Sequence, residues 1–352
     1  MQKCLVIRHG RLRFPLGNGS TSRYLTVGRD LLPLIPSNEI YHDPPKLRHR
    51  LDRDGYLYFK SIVPRVTVSA ALDNLRLQMT ACGWTCEEDH KRMLERSGGV
   101  ALGLPFPSTG KLPPPQITYT DSLRAAVSGT SVMALVRQVF GGAVRVWDIQ
   151  SVHLAAPQES FGLRMPSVYM NRGTKLAIIA LVPLHDTPMH MGTPVIVKGS
   201  NSSDTYAALR SSYGQHDVEG DDICGDGCYT DDPDELLPLG KQLGIDEVTG
   251  RRITVDVNPF LSVAVEPGDV ILLTVYTMHS FLTNTTDCWR IMTEAVWTME
   301  GDDVGPDPRY VGSNAPGLNK WCSERDNRKK YPRTMNEAKK AWGLVPDAPS
   351  TI

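Results

Sequence analysis

The sequence predicts a β-sandwich or barrel with helices packed against one of its faces. Two observations predict this fold class. Apolar residues recur with helical spacing in the first part of the chain, and from residue 144 the spacing changes to the alternation of strands. The strand-like segments are short and separated by turn residues, and the Pro-Gly-Asp run at 267–269 is typical of a tight turn between two strands.

Two segments predict helices. In residues 66–98, apolar residues recur every three to four positions, which places them on one face of a helix. Residues 121–140 form a second amphipathic helix, and either Asp121 or Ser122 is expected to be its N-cap. We expect these helices to pack on one face of the sheets.

The strands are predicted mainly in the second half of the chain. Residues 175–184 are almost continuously apolar, as in a strand that is buried on both faces. Residues 144–156 alternate between apolar and polar side chains and predict a further strand. The other strands are expected after the Asp54-Gly55 turn and over 193–200, 260–281 and 289–299.

Length and charge restrict the number of domains and the class of partner. The chain has 352 residues, enough for one large domain or two modest ones. The formal net charge is −1, which argues against a dedicated nucleic-acid or membrane-surface protein. No apolar run reaches the roughly 20 residues that span a bilayer, and no signal peptide is recognisable. We therefore expect a soluble, cytoplasmic protein that binds neither nucleic acid nor membrane.

The cysteines favour reduced thiols. There are seven, an odd number in a long chain, so a disulfide framework is not expected. Cys82 with Cys86, and Cys224 with Cys228, have a spacing that zinc sites use. The two pairs lie far apart, however, and nothing around them resembles a zinc ribbon or knuckle.

Two charged segments are interpreted as exposed structure. Residues 217–235 hold nine acidic residues, but their spacing does not fit an EF-hand. A solvated insertion between strands is favoured over a calcium loop. Residues 323–343 are rich in Lys and Arg with acidic residues between them, which favours an exposed, charged C-terminal helix over an anion-binding tail.

The strongest local signal runs from Pro267 to Arg290. The turn at Pro267 leads into a strand that ends at His279, and the next strand opens near Arg290, eleven residues after His279. This segment resembles the C-terminal part of the phytanoyl-CoA dioxygenase-like family of iron(II)/2-oxoglutarate oxygenases. The resemblance implies that His279 binds iron and that Arg290 holds the distal carboxylate of 2-oxoglutarate. Arg suits this role because its planar guanidinium grips a carboxylate through two parallel hydrogen bonds.

The resemblance extends over roughly 48–315. The segments that resemble the family in order and spacing are RDGYL (53–57), YMNRGT (169–174), MGTPVIVKGSN (191–201) and DPRYVG (307–312). We therefore divide the chain into an N-terminal extension (1–47), the family-like domain with an acidic insertion near 205–250, and a charged C-terminal tail (316–352). The resemblance implies a double-stranded β-helix, a jelly-roll or cupin-like barrel whose site lies inside its mouth.

The iron motif of the family is not retained. The resemblance implies a facial triad of two His and one carboxylate, whose first two ligands come as His-x-Asp before the tyrosine segment. Here that place is occupied by Met165-Pro166-Ser167. A thioether and a hydroxyl do not replace imidazole and carboxylate at ferrous iron, so only His279 of the triad remains. The nearest candidates for replacing the missing ligands are His153, Glu159, His185, Asp186 and His190.

Three functions follow from these observations, and loss of two of three ligands favours the first. It is a catalytically degenerate family member: a scaffold, a protein that binds a small molecule or metabolite, or a subunit that forms a homodimer or pairs with an active paralogue. The second is an active dioxygenase that uses Fe(II) and 2-oxoglutarate, with non-standard iron ligands, to hydroxylate or rearrange a small hydrophobic metabolite. The third is a non-oxidative enzyme, such as an isomerase or cyclase, with His279 as acid or base.

Overall fold

The structure is a computed structural model that describes residues 13–16, 23–96, 104–105, 120–168, 170, 173–207, 210, 228–230, 241–245, 252–256, 259–307 and 311. The α-helices of these residues are α1 (Pro44–Asp54), α2 (Arg65–Ala81), α3 (Glu87–Arg96), α4 (Asp121–Val127) and α5 (Thr130–Phe140). The strands are β1 (Arg13–Leu16), β2 (Arg23–Thr26), β3 (Leu31–Leu32), β4 (Tyr56–Phe59), β5 (Leu104–Pro105), β6 (Val144–Ala155), β7 (Phe161–Arg164), β8 (Ile178–Pro183), β9 (Pro194–Val197), β10 (Cys228–Thr230), β11 (Lys241–Ile245), β12 (Arg252–Asp256), β13 (Phe260–Leu261), β14 (Val270–Thr274), β15 (His279–Phe281) and β16 (Cys288–Met299).

Two six-stranded sheets form the framework. Sheet I has the order β4-β14-β8-β16-β5, and β6 also pairs with β16. Sheet II has the order β10-β7-β15-β9-β13-β3. Their strand pairs are antiparallel apart from the short parallel contact between β13 and β3. The predicted fold class, mainly β in a jelly-roll or cupin-like arrangement with flanking helices, is confirmed.

The two faces of sheet I belong to two different cores. On β8, Ala180 and Val182 pack into the cluster that also contains Leu75 of α2. Their neighbours Ile179 and Leu181 pack into a second cluster, which includes residues of sheet II. Alternation along the strand produces this division, because successive side chains point to opposite faces. The helices therefore cover the outer face of sheet I, and the inner face looks into the space between the sheets.

Glycines divide the two predicted helices. The segment 66–98 is interrupted after α2, where Gly83 has a φ of 73°. The segment 121–140 is interrupted between α4 and α5 at Gly129, where a Cβ would lie 2.2 Å from the carbonyl oxygen of Ala125. The N-cap of α4 is Thr120 rather than Asp121 or Ser122, because the Thr120 side chain accepts the hydrogen bond of Leu123 N–H.

The predicted strand that ends at His279 is interrupted as well. Strand β14 ends at Thr274 in sheet I, and β15 begins at His279 in sheet II. The connection between them is fixed by the Thr277 hydroxyl, which donates to Gly55 O, and by Met278 N–H, which donates to the Ser200 hydroxyl. The chain thus changes sheets just before His279, which places this residue on the opposite side of the barrel from β14.

Gly55 requires its conformational freedom at this junction. It ends α1 with a φ of 80°, a left-handed conformation that favours glycine. A Cβ at this position would lie 2.7 Å from Asn201 Oδ1 and 2.9 Å from Thr277 Oγ1. The Asp-Gly-Tyr segment therefore brings α1, the loop at Asn201 and the β14–β15 connection together.

Several expectations lie outside the described residues. These are the acidic run 217–235 apart from 228–230, the basic run 323–343, and Cys4, Cys224 and Cys322. Within the described residues, Cys82, Cys86 and Cys288 are not part of a disulfide bond. Within the predicted extension 1–47, β3 pairs with β13 of sheet II, and the domain limits stay predictions. None of the helices in the described ranges has the length and apolar character needed to cross a membrane.

Candidate functional site

His279 is the first residue of β15, which lies between β7 and β9 in sheet II. Its Cα lies opposite that of Arg164 on β7 and that of Ile196 on β9. The ring is buried, and Nδ1 lies 3.1 Å from the carbonyl oxygen of Thr277. A carbonyl oxygen can only accept, so Nδ1 carries the proton and Nε2 presents its lone pair. Burial lowers the pKa of His279, so the ring is neutral and able to act as a base or a ligand.

Glu294 and His153 form a pair on the inner face of sheet I. His153 lies on β6 directly opposite Met292 of β16, two residues before Glu294. His153 Nε2 is 3.0 Å from Glu294 Oε2. Burial alone would raise the pKa of Glu294, but the charge and hydrogen bond of His153, with smaller contributions from His279 and Arg164, lower it overall. The site therefore holds an ionised carboxylate that is already paired.

Arg290 is fully buried near the start of β16. It shares a strand face with Met292, which packs between the two sheets. Its Nε, Nη1 and Nη2 have no hydrogen-bond partner within the described part of the chain. The guanidinium carbon lies 3.9 Å from the ring centre of Phe281 and 5.1 Å from that of Phe161. Burial lowers the pKa of Arg290 to about 9, which leaves the side chain charged at neutral pH.

A buried Arg usually forms an ion pair, and the described residues supply none to Arg290. Glu294 bonds to His153. The exposed Glu159 raises the pKa of Arg290 only through space, and its carboxylate accepts the N–H of Ala156. An unpaired buried charge costs several kcal/mol, whereas stacking on aromatic faces returns about 0.5–2 kcal/mol. This arrangement is typical of a site that completes its hydrogen bonds with an anionic ligand.

Met165 follows β7 directly, and Ser167 lies in the short 3₁₀ turn Pro166–Val168 that comes next. Both side chains are fully buried. Ser167 N–H donates to Val275 O at 2.8 Å, and the Ser167 hydroxyl has no partner among the described residues. Arg164, the last residue of β7, lies opposite His279. The turn that follows it therefore lies beside the start of β15. The segment 165–167 thus supplies a thioether and a hydroxyl beside the start of β15.

Arg164 is the site residue that sequence reasoning missed. It is partly buried and lies opposite His279 on the neighbouring strand. Its guanidinium carbon is 5.7 Å from the ring centre of Phe161. Burial lowers the pKa of His279 and the bonded His153 lowers that of Glu294, and the charge of Arg164 adds a smaller lowering to each. No motif marks an Arg at this position, and only the pairing of β7 with β15 reveals that it belongs to the site.

His185, a candidate for a replacement iron ligand, is engaged by backbone at both ring nitrogens. Nδ1 lies 2.8 Å from Asp186 O, and Nε2 accepts the N–H of Ile291 at 3.0 Å. Burial lowers the pKa of His185 to about 4, so the ring is neutral. With its only lone pair used by Ile291 N–H, His185 is not available to a metal.

The other candidates do not complete a metal site either. Asp186 and His190 lie in the connection between β8 and β9, and the Glu159 carboxylate accepts the Ala156 N–H. Across the residues that the structure describes, no group of three or more His, Cys, Asp or Glu side chains is arranged to hold a metal ion. The described residues therefore supply no complete set of iron ligands, whereas the buried guanidinium of Arg290 fits a carboxylate.

Comparisons with known proteins concern the fold. The chain matches no protein-family model, and no curated protein matches it in sequence. Similar solved structures include the non-heme α-ketoglutarate-dependent epimerase SnoN from nogalamycin biosynthesis, at 18% identity over 75% of this chain and 85% of that chain (TM-score 0.43). The carbocyclase SnoK, also non-heme and α-ketoglutarate-dependent, is 16% identical over 78% and 89% (TM-score 0.43). EctD from S. alaskensis with 2-oxoglutarate and 5-hydroxyectoine is 14% identical over 89% and 95% (TM-score 0.47).

SnoN and SnoK are α-ketoglutarate-dependent and the EctD structure contains 2-oxoglutarate, and each of these statements concerns that protein. The narrower phytanoyl-CoA dioxygenase-like family is not confirmed, since no family model matches. At these identities and TM-scores the similarity assigns neither an activity nor a ligand to this chain.

Proposed function

We propose that this chain is a catalytically degenerate double-stranded β-helix protein that binds a small organic acid through Arg290 and does not perform iron-dependent oxygenation. One observation carries the proposal. The Arg290 guanidinium is fully buried, and its three nitrogens have no hydrogen-bond partner within the described part of the chain. A ligand carboxylate supplies the two parallel acceptors that this planar group lacks.

The aromatic rings around Arg290 support a built anion site. Phe281 and Phe161 contact each other with ring centres 5.8 Å apart, and the guanidinium lies over both rings. The rings restrict the motion of the guanidinium plane while leaving its N–H groups unsatisfied. Burial also strengthens each charge-assisted bond, because the surroundings of the pair have a lower dielectric constant than water.

Two observations argue against iron at His279. The positions beside it supply Met165 and Ser167, and neither is a good ligand for ferrous iron. The carboxylate whose charge acts on His279, that of Glu294, is also already bonded to His153. The ligand set and the pairing of Glu294 therefore both favour a metal-free pocket.

An active dioxygenase is the second candidate, and one observation favours it. His279, His153 and Glu294 influence one another electrostatically, and together they have the two-His, one-carboxylate composition of a facial triad. For this triad to hold iron, Glu294 has to leave His153, to which it is bonded at 3.0 Å.

The proposed function is tested by calorimetric titration of 2-oxoglutarate in the presence of EDTA. We expect saturable binding to the wild-type chain and a loss of at least about tenfold in affinity for Arg290→Gln, the equivalent of roughly 1.4 kcal/mol. The matched control is Arg145→Gln on β6, whose side chain is exposed. An Arg290→Gln variant that binds as well as the wild type would overturn the proposal.

A further inference from the structure

The imidazole of His185 takes over the hydrogen bonding of β16 at the point where β8 ends. The last residue of β8 that pairs with β16 is Pro183, which lies opposite Met292. One residue earlier on β16, the Ile291 N–H donates to His185 Nε2 at 3.0 Å. In a continuous antiparallel pair, this N–H would donate to a main-chain carbonyl of the neighbouring strand. A buried side chain therefore holds the main chain of β16 here, directly after Arg290.

The ring of His185 is fixed on its other side as well. Its Nδ1 lies 2.8 Å from the carbonyl oxygen of Asp186, which can only accept, so Nδ1 carries the proton and Nε2 is the acceptor. Thr187 ties the same segment to the fold, since its hydroxyl donates to His185 O and its N–H and carbonyl both bond to Val265. The orientation and the tautomer of the imidazole are therefore both determined by its surroundings.

The Arg290 guanidinium depends on its main chain for its orientation. Its nitrogens have no hydrogen-bond partner among the described residues, and the group lies over the rings of Phe281 and Phe161. An aromatic face attracts a cation without specifying the direction of its N–H groups. That direction is therefore governed by the backbone of Arg290, which pairs with Ala155 of β6 on one side and is followed by Ile291, the residue that His185 holds.

The charge state of His185 suits this position. Burial, with a smaller contribution from the charge of Arg290, lowers the pKa of His185 to about 4, so the ring is neutral at pH 7. A protonated ring would turn an N–H of Nε2 towards the Ile291 N–H, and two donors would then face each other. The influence of Arg290 on this pKa also means that the guanidinium and the imidazole lie within electrostatic range of each other.

We infer that His185 is a positioning residue of the Arg290 site: by accepting the Ile291 N–H, it fixes the main chain from which the guanidinium reaches its anion. The inference rests on the proposed function, in which Arg290 receives a carboxylate. Two parallel hydrogen bonds to a carboxylate require both N–H groups to be aligned, and such bonds weaken steeply when their angle is poor. His185 acts through Arg290 and does not itself contact the ligand.

Two amide side chains separate positioning from general stability. The carboxamide of His185→Gln can place an acceptor where Nε2 lies, whereas the shorter His185→Asn replaces Nδ1 and leaves the Ile291 N–H without its partner. Both variants, Arg290→Gln and the exposed control His49→Gln are titrated calorimetrically with pentanoate, a simple monocarboxylate, in the presence of EDTA. We expect His185→Asn to lose at least about tenfold in affinity, and His185→Gln and the control to stay within about threefold of the wild type.

A spectroscopic measurement observes the hydrogen bond itself. In the ¹⁵N-labelled wild type, the bond from Ile291 N–H to His185 Nε2 should give a scalar coupling between the two nitrogens. Circular-dichroism melts show whether each variant is folded. If His185→Asn is not, Thr187→Val takes its place, because it removes only the hydroxyl that bonds to His185 O. We expect this milder variant to lose about threefold in affinity, and an unchanged affinity would overturn the inference.

The outcomes separate the inference from the proposed function. The inference is wrong if His185→Asn binds pentanoate as tightly as the wild type, if His185→Gln loses as much affinity as His185→Asn, or if the wild type shows no coupling. In each of these cases Arg290 still stands as a carboxylate site. If the wild type binds no pentanoate, or if Arg290→Gln binds it equally well, the proposed function fails and the inference fails with it.

Discussion

Arg164 and His279 face each other across the β7–β15 pair, with their Cα atoms in register. His279 is the one residue of the expected iron triad that the sequence retains. The residue opposite it is a cation, and burial, with a smaller contribution from this charge, lowers the pKa of His279. The carboxylate of Glu294 acts on His279 in the opposite sense, so it is the replacement of the expected ligands by Met165 and Ser167 that distinguishes the pocket from an iron centre.

Restoring the missing ligands should restore metal binding only in part. We expect the Met165→His/Ser167→Asp double variant to bind Fe(II), since it adds one imidazole and one carboxylate beside His279 and so completes a two-His, one-carboxylate triad. Adding Arg164→Gln should raise the affinity further by removing the opposing charge. Anaerobic calorimetric titration of Fe(II) measures both steps, with Met165→His alone as the control that lacks the carboxylate. Absence of Fe(II) binding by the triple variant would mean that the segment 165–167 is not the metal-site segment.

Anion binding should weaken at high pH. The charged form of Arg290 binds the carboxylate, and burial lowers the pKa of Arg290 to about 9 in the ligand-free protein. Affinity for pentanoate should therefore be constant from pH 7 to 8 and fall above pH 9 as the guanidinium loses its proton, because the ligand itself stays ionised over this range. Affinities measured at intervals of one pH unit test this. An affinity that does not fall between pH 8 and pH 10.5 would contradict the assignment.

Replacing Arg290 with an apolar side chain should stabilise the ligand-free fold. Arg290→Met removes a buried guanidinium that lacks hydrogen-bond partners in the described structure and keeps a long side chain between Phe281 and Phe161. We expect the free energy of unfolding to rise by about 1–3 kcal/mol. Urea denaturation at pH 7 measures it, with Arg145→Met as the exposed control. A decrease of more than 1 kcal/mol would indicate that Arg290 has a structural role.

Glu294 should contribute stability that is lost in acid. The pKa of Glu294 is lowered in the folded protein by His153, so its contribution is present above the ordinary pKa of a Glu and disappears as the pH falls through the lower, folded value. We expect Glu294→Gln to lower the free energy of unfolding at pH 7 by about 1–3 kcal/mol and to lose less stability than the wild type on acidification.

Glu266→Gln is the matched control for this change. Glu266 forms an exposed ion pair with Arg65 at 2.8 Å, which should contribute less than about 1 kcal/mol. Urea denaturation of both variants between pH 7 and pH 3 separates the two contributions. The assignment of Glu294 is contradicted if its variant loses as much stability on acidification as the wild type does.

Local sequence patterns predicted the fold class and most of its elements. The continuous apolar run of 175–184 corresponds to the buried strand β8, and the alternation from 144 corresponds to β6. The interruptions were harder to foresee. The predicted helix is interrupted at Gly129, where the carbonyl oxygen of Ala125 leaves no room for a Cβ. Between Thr274 and His279 the chain passes from sheet I to sheet II. Hydropathy does not specify which sheet a strand joins, since both inner faces are apolar.

From the sequence, residues of the site were predictable only where the type of side chain itself indicates what it binds. Arg290 and His279 were singled out by their order and spacing, and both lie buried in the barrel. His185 was a reasonable candidate in sequence, but its ring nitrogens are occupied by backbone groups. Arg164 carried no signal, because its role depends on the register of β7 against β15, which links residues more than a hundred positions apart.

The absence of an iron centre is the central claim, and one measurement tests it most directly. Fe(II) is titrated anaerobically into the wild-type protein with 2-oxoglutarate present, and the weak visible charge-transfer band of the iron chelate is recorded. We predict that no band develops, while calorimetry under the same conditions still detects binding of 2-oxoglutarate. A band that saturates near one equivalent of Fe(II) would contradict the account and make the dioxygenase, with His279, His153 and Glu294 as its first candidates for ligands, the leading function.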